Sequence, residues 1–502
     1  MGEPFYITTA ISYPNGPPHI GHAYEAIAAD VIARFQRAQG RDVRFQTGTD
    51  EHGLKMAQAA RSEGLEPRAL ADKMSRLFQD MCDTLNVSYD RFIRTSQPDH
   101  YRASQAIWSA MEANGDLYLD RYEGWYSVRD EAYYEEEEIT QGEDGAKLSP
   151  QGTPVEWTVE ESWFFRLSKY QQPLLDHYAA NPDFIRPESR RNEVVRFVEG
   201  GLKDLSISRT SFAWGVPVPG SDSHVMYVWL DALTNYITGL GYPDDTELWQ
   251  RYWPADIHLI GKDVVRFHAV YWPAFLMSAG IALPKQVYGH GFLLSRGEKM
   301  SKSVGNVVDP MVLADRFGVD ALRYFLLREV SFGQDGSYTA EAIVNRANAE
   351  LSNSFGNLAQ RTLSIIHKNL DGVIPKVGEA PEDTELLDLV RKAVSEELPE
   401  AFERLAFSVG VEAWLKAVFA CNQYITEMQP WTLKQDLHRM RAILGTLVEC
   451  IRLLAGAIAP IIPGSADKLL AVLDVGVEGA PIDPPTPLFP KLELQEEPEP
   501  AA

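Results

Sequence analysis

Phe5-Tyr6-Ile7-Thr8-Thr9-Ala10-Ile11, then His19-Ile20-Gly21-His22, then Ile27, Val31 and Phe35, take the chain from a continuous apolar run through a glycine-containing turn to a helical apolar spacing. The first run is apolar and β-branched with little polar interruption, the pattern of a strand buried in a parallel sheet. The last three residues recur at i, i+4 and i+8, which predicts a helix over about 22–38. Asp42 to Thr47 reads as a second strand, so the segment is a βαβ unit of a doubly wound sheet. A strand, a glycine turn and a helix start bring unpaired backbone N–H groups and the positive end of the helix dipole together, which suits a phosphate. Gly21 lets the backbone approach closely, and the His19 and His22 imidazoles add ring N–H donors.

Far downstream, the strand-like run Val287 to Leu294 leads into Lys299-Met300-Ser301-Lys302-Ser303, two cations on a loop that also contains Ser295, Gly297 and Gly305. Between the two motifs, residues 115–225 are rich in Tyr, Trp, Glu, Gly and Pro with short alternating runs, and read as an insertion. The α/β pattern resumes at Ile257-His258-Leu259-Ile260-Gly261-Lys262-Asp263, a strand running into a helix through His268 and Trp272. From about 340 to 475 the apolar spacing is helical, as in Leu386, Leu389, Val390 and Val394, which predicts an antiparallel bundle. The expected fold is therefore α/β: a Rossmann-type doubly wound parallel domain in two halves, 1–114 and 226–295, interrupted by a connective domain at 115–225. A loop region at 296–340, an all-α bundle at 341–475 and a Pro/Glu-rich tail at 476–502 complete it, with Pro487-Leu488-Phe489-Pro490 suited to docking on the body.

The chain has 502 residues, and its net charge of −24 argues against a nonspecific nucleic-acid binder. Any RNA has to be gripped by a local surface, selectively and with strong salt dependence. Cys82, Cys421 and Cys450 are too few and too scattered for a disulfide framework and read as buried thiols. Met1-Gly2-Glu3-Pro4 lacks the basic and apolar regions of a signal peptide, and Leu447 to Ile462 is broken by Glu449, Arg452 and Pro460. The expectation is a cytoplasmic protein without a membrane span.

The two motifs, in this order and each after a strand, resemble the paired signatures of class I aminoacyl-tRNA synthetases. Ile11-Ser12-Tyr13-Pro14-Asn15-Gly16, Gly48-Thr49-Asp50-Glu51-His52-Gly53, Tyr227-Val228-Trp229-Leu230-Asp231-Ala232 and Phe267-His268-Ala269-Val270-Tyr271-Trp272 narrow the resemblance to the methionyl-tRNA synthetase family, over nearly the whole chain. The resemblance implies activation of L-methionine by ATP with Mg²⁺, then transfer to initiator and elongator tRNA(Met). It implies that His19, His22, Lys299 and Lys302 are catalytic, with Tyr13, Gly21, Gly261, Asp263, Met300, Ser301 and Ser303 around ATP. Ile11, Tyr13, Trp229, Ala232, Tyr236, Val264, Phe267, His268 and Trp272 would line a methionine pocket, with Asp50 on the ammonium. The chemistry agrees, since aromatic walls suit a polarizable thioether and a carboxylate suits an ammonium.

Asn357, Arg361, Pro430 and Trp431 match the family's anticodon readers; the first two are i and i+4 and share a helix face. The insertion is too short for the editing domain of the isoleucine, leucine and valine enzymes, so homocysteine rejection within the synthetic site is the implied alternative. Many relatives carry Cys-x-x-Cys zinc knuckles in the insertion. Here Ser127 and Asp130 stand where one pair would fall and no second pair follows through Gly142–Gly152, so no metal site and no structural zinc is expected, the knuckle being held by ordinary packing. No dimerisation domain is visible after the bundle, and a monomer is expected. A small-molecule nucleotidyltransferase would share the HxGH turn but has no need of the long helical region.

Overall fold

A computed structural model describes residues 2–130, 132–142, 145–295, 297–300, 306–477 and 480–494, with the backbone alone at Tyr122, Ala132, Glu160, Glu298, Lys299, Gly476 and Val477. The chain forms two compact units, residues 1–83 with 87–290, and residues 84–86 with 291–502.

In the first unit six strands make one parallel sheet: β1 Pro4–Thr9, β2 Asp42–Thr49, β3 Arg91–Arg94, β4 Ile185–Arg186, β5 Ile257–Gly261 and β6 Val287–His290. Their spatial order is β3-β2-β1-β5-β6-β4, every pair parallel. Five successive residues of β1, Phe5 to Thr9, are buried, as a strand covered on both faces requires. The chain leaves β1 toward β2 and β3 on one side, while β5 and β6 lie on the other. The carboxyl ends of β1 and β5 therefore flank the switch point, where doubly wound sheets bind ligands.

Helix α1, Ile20–Ala38, follows β1 and starts two residues earlier than its apolar spacing suggests, because His19 caps it. The stretch 115–225 contains an antiparallel sheet built on Leu117–Ser127 and Glu156–Phe165, whose register runs from Leu117↔Phe165 to Tyr126↔Glu156. The same stretch also supplies β4, which joins the edge of the parallel sheet beside β6. The run Val287 to Leu294 is two strands rather than one: β6 ends at His290, and Leu293–Ser295 pairs with Glu298–Lys299 and Gly336–Tyr338 in a separate sheet of the second unit. The first unit also contains helices α2 Pro98–Ala113 and α3 Val228–Thr238.

The remainder of the second unit is helical, including α4 Asn357–Asn369, α5 Phe407–Met428 and α6 Leu437–Ile458. The proline-rich segment after the last helix does pack on it: the Asn348 side chain holds both backbone groups of Leu492 at 2.8 and 2.9 Å, Gln360 donates to the Pro485 carbonyl, and the Phe489 ring lies 6.5 Å from Phe355. Among the described residues no helix is long and apolar enough to cross a membrane. All three cysteines are buried and unbridged.

Candidate active site

The turn into α1 shows what the HxGH residues do locally. Gly21 N–H donates to His19 Nδ1 at 3.0 Å, and His19 N–H donates to His22 Nδ1 at 3.0 Å. The two rings are stacked 3.8 Å apart. Backbone N–H groups can only donate, so both Nδ1 atoms are acceptors and both ring protons sit on Nε2. A side chain at position 21 would place Cβ 2.8 Å from the His19 ring, so glycine is needed for the ring to fold over the turn. The pair is thus a reciprocal cap that also presents two Nε2–H donors at a helix N-terminus.

Across the switch point, β5 ends at Gly261 and the chain turns through Lys262 and the exposed Asp263. A Cβ on Gly261 would stand 2.8 Å from the Asp263 carboxylate, so this glycine is what lets that carboxylate fold back over the strand end. Glu25 on α1 lies at the same crevice, bonded to His290 Nε2 at 2.8 Å. Burial pushes the Glu25 carboxyl up, the His290 bond opposes this, and the nearby Asp263 charge adds to it.

Beside this crevice is an aromatic slot. Trp229 on α3 stacks on Phe267, centroids 3.7 Å apart and planes 5° from parallel. The Tyr236 hydroxyl is 2.6 Å from His268 Nε2, and His268 Nδ1 is 2.9 Å from the Val264 carbonyl. A carbonyl only accepts, so Nδ1 carries the proton and Nε2 accepts from Tyr236. Burial holds His268 down to about 4, so the ring is neutral near pH 7. Phe267 and His268 lie in a π-helical turn, Phe267–Tyr271, between the loop after β5 and the helix Trp272–Ser278; such turns re-aim side chains and recur at functional sites.

Ala232 is buried on α3. Ile11 and Tyr13 follow β1, and the Tyr13 hydroxyl accepts from Met56 N–H at 2.9 Å. Asp50 is buried just past β2, its N–H on the Ser12 carbonyl at 2.9 Å. Trp272 backs the slot from the core: it is fully buried, and its indole N–H donates to His258 Nε2 at 3.3 Å. His258 in turn stacks on Tyr236 at 4.1 Å and reaches Thr8 Oγ1 at 2.7 Å. Sequence reasoning assigned no role to His258, Glu25, His290 or Asp231; each works through a partner far away in the chain, which no local spacing reveals.

In the second unit, Lys299 closes a hairpin through Gly297, whose φ is +82°, and Met300 is half-buried. Ser301, Lys302 and Ser303 lie outside the described residues. Arg361 lies over the Trp431 ring with its guanidinium carbon 5.5 Å from the centroid, while Asn357 one turn earlier is exposed. Pro430 is buried and Trp431 is 39% exposed, so part of the indole is presented to solvent just past the end of α5.

Where a zinc knuckle would stand, the structure has a cluster of oxygens rather than the ordinary packing expected. Asp130 Oδ2 accepts from Tyr134 at 2.9 Å, Ser149 at 2.7 Å and Thr153 at 2.5 Å. Ser127 Oγ is 2.6 Å from Thr153 Oγ1 and accepts from Asp130 N–H at 3.2 Å. Hydroxyls and one carboxylate, without thiol or imidazole, do not fit a structural zinc.

The family described as tRNA synthetases class I (M) matches residues 5–363, and that described as the anticodon binding domain of methionyl tRNA ligase matches residues 374–488. The methionine–tRNA ligase of Brucella suis biovar 1 is 57% identical over 97% of this chain and 98% of its own length. That of Mesorhizobium japonicum is 59% identical over 94% and 92%. The solved Mycobacterium tuberculosis methionyl-tRNA synthetase in complex with methionyl-adenylate matches with a TM-score of 0.94 at 55% identity, covering 97% of this chain and all of that one. On full-length identity and on fold, this chain belongs to the methionyl-tRNA synthetase family of class I aminoacyl-tRNA synthetases.

Proposed function

We propose that the chain ligates L-methionine to tRNA(Met), in initiation and elongation alike, by way of methionyl-adenylate. In the first step the methionine carboxylate attacks the α-phosphorus of ATP and pyrophosphate leaves. The nucleophile is already ionised, so no general base is needed and catalysis is positioning plus charge stabilisation. The Nε2–H groups of His19 and His22 donate to the α-phosphate as charge builds there, with the α1 N-terminus behind them. Lys299 and Lys302 take the β- and γ-phosphates, with Met300, Ser301 and Ser303 in the same loop, and Mg²⁺ accompanies the nucleotide. Asp263 accepts from the ribose, beside Gly261 and Tyr13. In the second step a terminal ribose hydroxyl of the tRNA attacks the acyl carbon, and AMP leaves.

Asp50 holds the ammonium. Trp229, Phe267, Tyr236 and His268, with Ile11, Tyr13, Ala232 and Val264, enclose the thioether. Asn357 and Arg361 read anticodon base edges while a base stacks on Trp431, seated by Pro430. The enzyme acts as a cytoplasmic monomer, with 1–114 and 226–295 as catalytic halves around the 115–225 insertion, 296–340 as loop and stem-contact region, and 341–475 reading the anticodon. The observation that carries this reading is one crevice holding a histidine-capped helix start, a buried carboxylate and a stacked aromatic slot. Charging of a tRNA(Met) transcript tests it: methionine should become ester-linked to the transcript, and a chain that forms adenylate but no ester would contradict the second step.

A further inference from the structure

Asp231 does not face the slot. It is fully buried on α3, two residues after Trp229 and immediately before Ala232. One carboxylate oxygen is 2.6 Å from His52 Nδ1 and the other 2.7 Å from His100 Nε2. Burial alone would push this carboxyl up, but the attraction of His52 and the bonds from His100 and His52 hold it down to about 2. An ionised carboxylate only accepts, so both facing nitrogens carry hydrogen. His52 Nε2 meets the Tyr101 hydroxyl at 2.9 Å, and His100 Nδ1 meets Thr238 Oγ1 at 3.0 Å. Three elements therefore meet on one side chain: the loop after β2, helix α2 and helix α3.

The loop is the one that carries Asp50. Its next residue, Glu51, is tied to the end of β3 by Arg94, at 2.6 and 3.0 Å, and its carbonyl accepts the Trp214 indole N–H at 2.6 Å. His52 is tied to α3. Only Glu51 stands between Asp50 and His52, two steps of chain or about 7 Å at full stretch, so a displacement of the imidazole is passed on to the carboxylate. On the other side, α3 presents Trp229 one half-turn before Asp231 and Tyr236 further along.

We propose that Asp231 is a positioning residue for amino-acid recognition: through His52 and His100 it sets the Asp50 carboxylate at a fixed distance from the Trp229–Tyr236 wall, so that the ammonium and thioether of one methionine are met together. The proposal rests on the ammonium role of Asp50 given above. A charge at this place costs desolvation that an apolar residue would not, and what it supplies in return is a geometry that only two N–H donors can satisfy.

The test is calorimetric binding of two ligands to the full chain, methionine and 4-(methylsulfanyl)butanoate, which keeps the thioether and carboxylate but lacks the ammonium. In Asp231→Asn one amide N–H faces an imidazole N–H, so one of the two ties is broken. The dissociation constant for methionine should rise about 10- to 100-fold, the scale expected for misplacement of a binding group by about an ångström, and that for the butanoate should stay within about twofold. Equal weakening of both ligands would make Asp231 a structural support only and overturn the proposal, as would no weakening of either. His52→Asn and His52→Leu decide the matter even if Asp231→Asn does not fold. The Asn amide N–H takes the place of Nδ1, so this variant should bind methionine within about threefold of the parent, while Leu should lose methionine and keep the butanoate. Indistinguishable His52 variants would contradict the proposal. In parallel, Asp50→Asn should also lose methionine selectively; if it weakens both ligands alike, the ammonium reading itself fails, a result separate from failure at Asp231.

Discussion

Replacing Asp130 by Ala removes the acceptor that gathers the knuckle. Three hydroxyls, those of Tyr134, Ser149 and Thr153, converge on its Oδ2 at 2.5–2.9 Å. Ser149 and Thr153 can turn to each other at 2.8 Å, and Thr153 to Ser127 at 2.6 Å, so part of the loss is recovered. One or two bonds to a charged acceptor are then lost outright, at about 2 kcal/mol each, for a total of about 2–4 kcal/mol. The cost is local, because the knuckle can open without the parallel sheet. Opening should become about 30- to 1,000-fold more populated, read by hydrogen exchange at the amides of Ser149 and Val155, which bond to the Thr153 and Lys147 carbonyls. Asp130→Asn keeps one acceptor and should cost about 1 kcal/mol. Unchanged protection in Asp130→Ala would mean that packing, and not this carboxylate, holds the knuckle.

Acid should weaken the folded state through His268, whose ring is held down to about 4 by burial against an ordinary 6.5. Its folded value is the lower one, so the stability it contributes is complete above about pH 6.5 and is lost between 6.5 and 4, by up to about 3 kcal/mol. The urea midpoint of His268→Phe should fall less steeply over that window than the parent's, and parallel profiles would contradict the assignment. Trp431→Ala should slow tRNA charging by about 5- to 100-fold, the range of one lost base–aromatic stack, and spare pyrophosphate exchange. An equal fall in exchange would make Trp431 structural. Lys302→Ala should cut adenylate formation about 100-fold or more while methionine binding holds, and equal loss of both would remove the phosphate role.

The βαβ start was legible because a parallel strand leaves a continuous apolar run and α1 leaves an i, i+4 stripe. The slot residues Trp229, Tyr236, Phe267 and His268 were legible only as members of a family pattern, since buried aromatics at helical spacing look the same in any core. Other features left no trace in a single sequence. The π-helical turn at Phe267–Tyr271 is a hydrogen-bond pattern with no composition of its own. Ile185–Arg186 is too short to show period-2 alternation, and its place in the sheet is fixed by pairing with Val287 and Tyr288, a hundred residues on. The split of Val287–Leu294 falls at Gly291, where a Cβ would stand 2.2 Å from the Gln334 carbonyl carbon, a close approach that only the folded chain reveals. His52, His100 and Asp231 sit in three separate segments, and nothing in their spacing announces that they meet.

Methionine activation by this crevice is read by amino-acid-dependent ATP–pyrophosphate exchange, run with each of the twenty amino acids and without tRNA. Exchange should appear with methionine and stay at background with the others. Exchange driven by a different amino acid would contradict the pocket assignment, and no exchange with any of them would contradict the activation step itself.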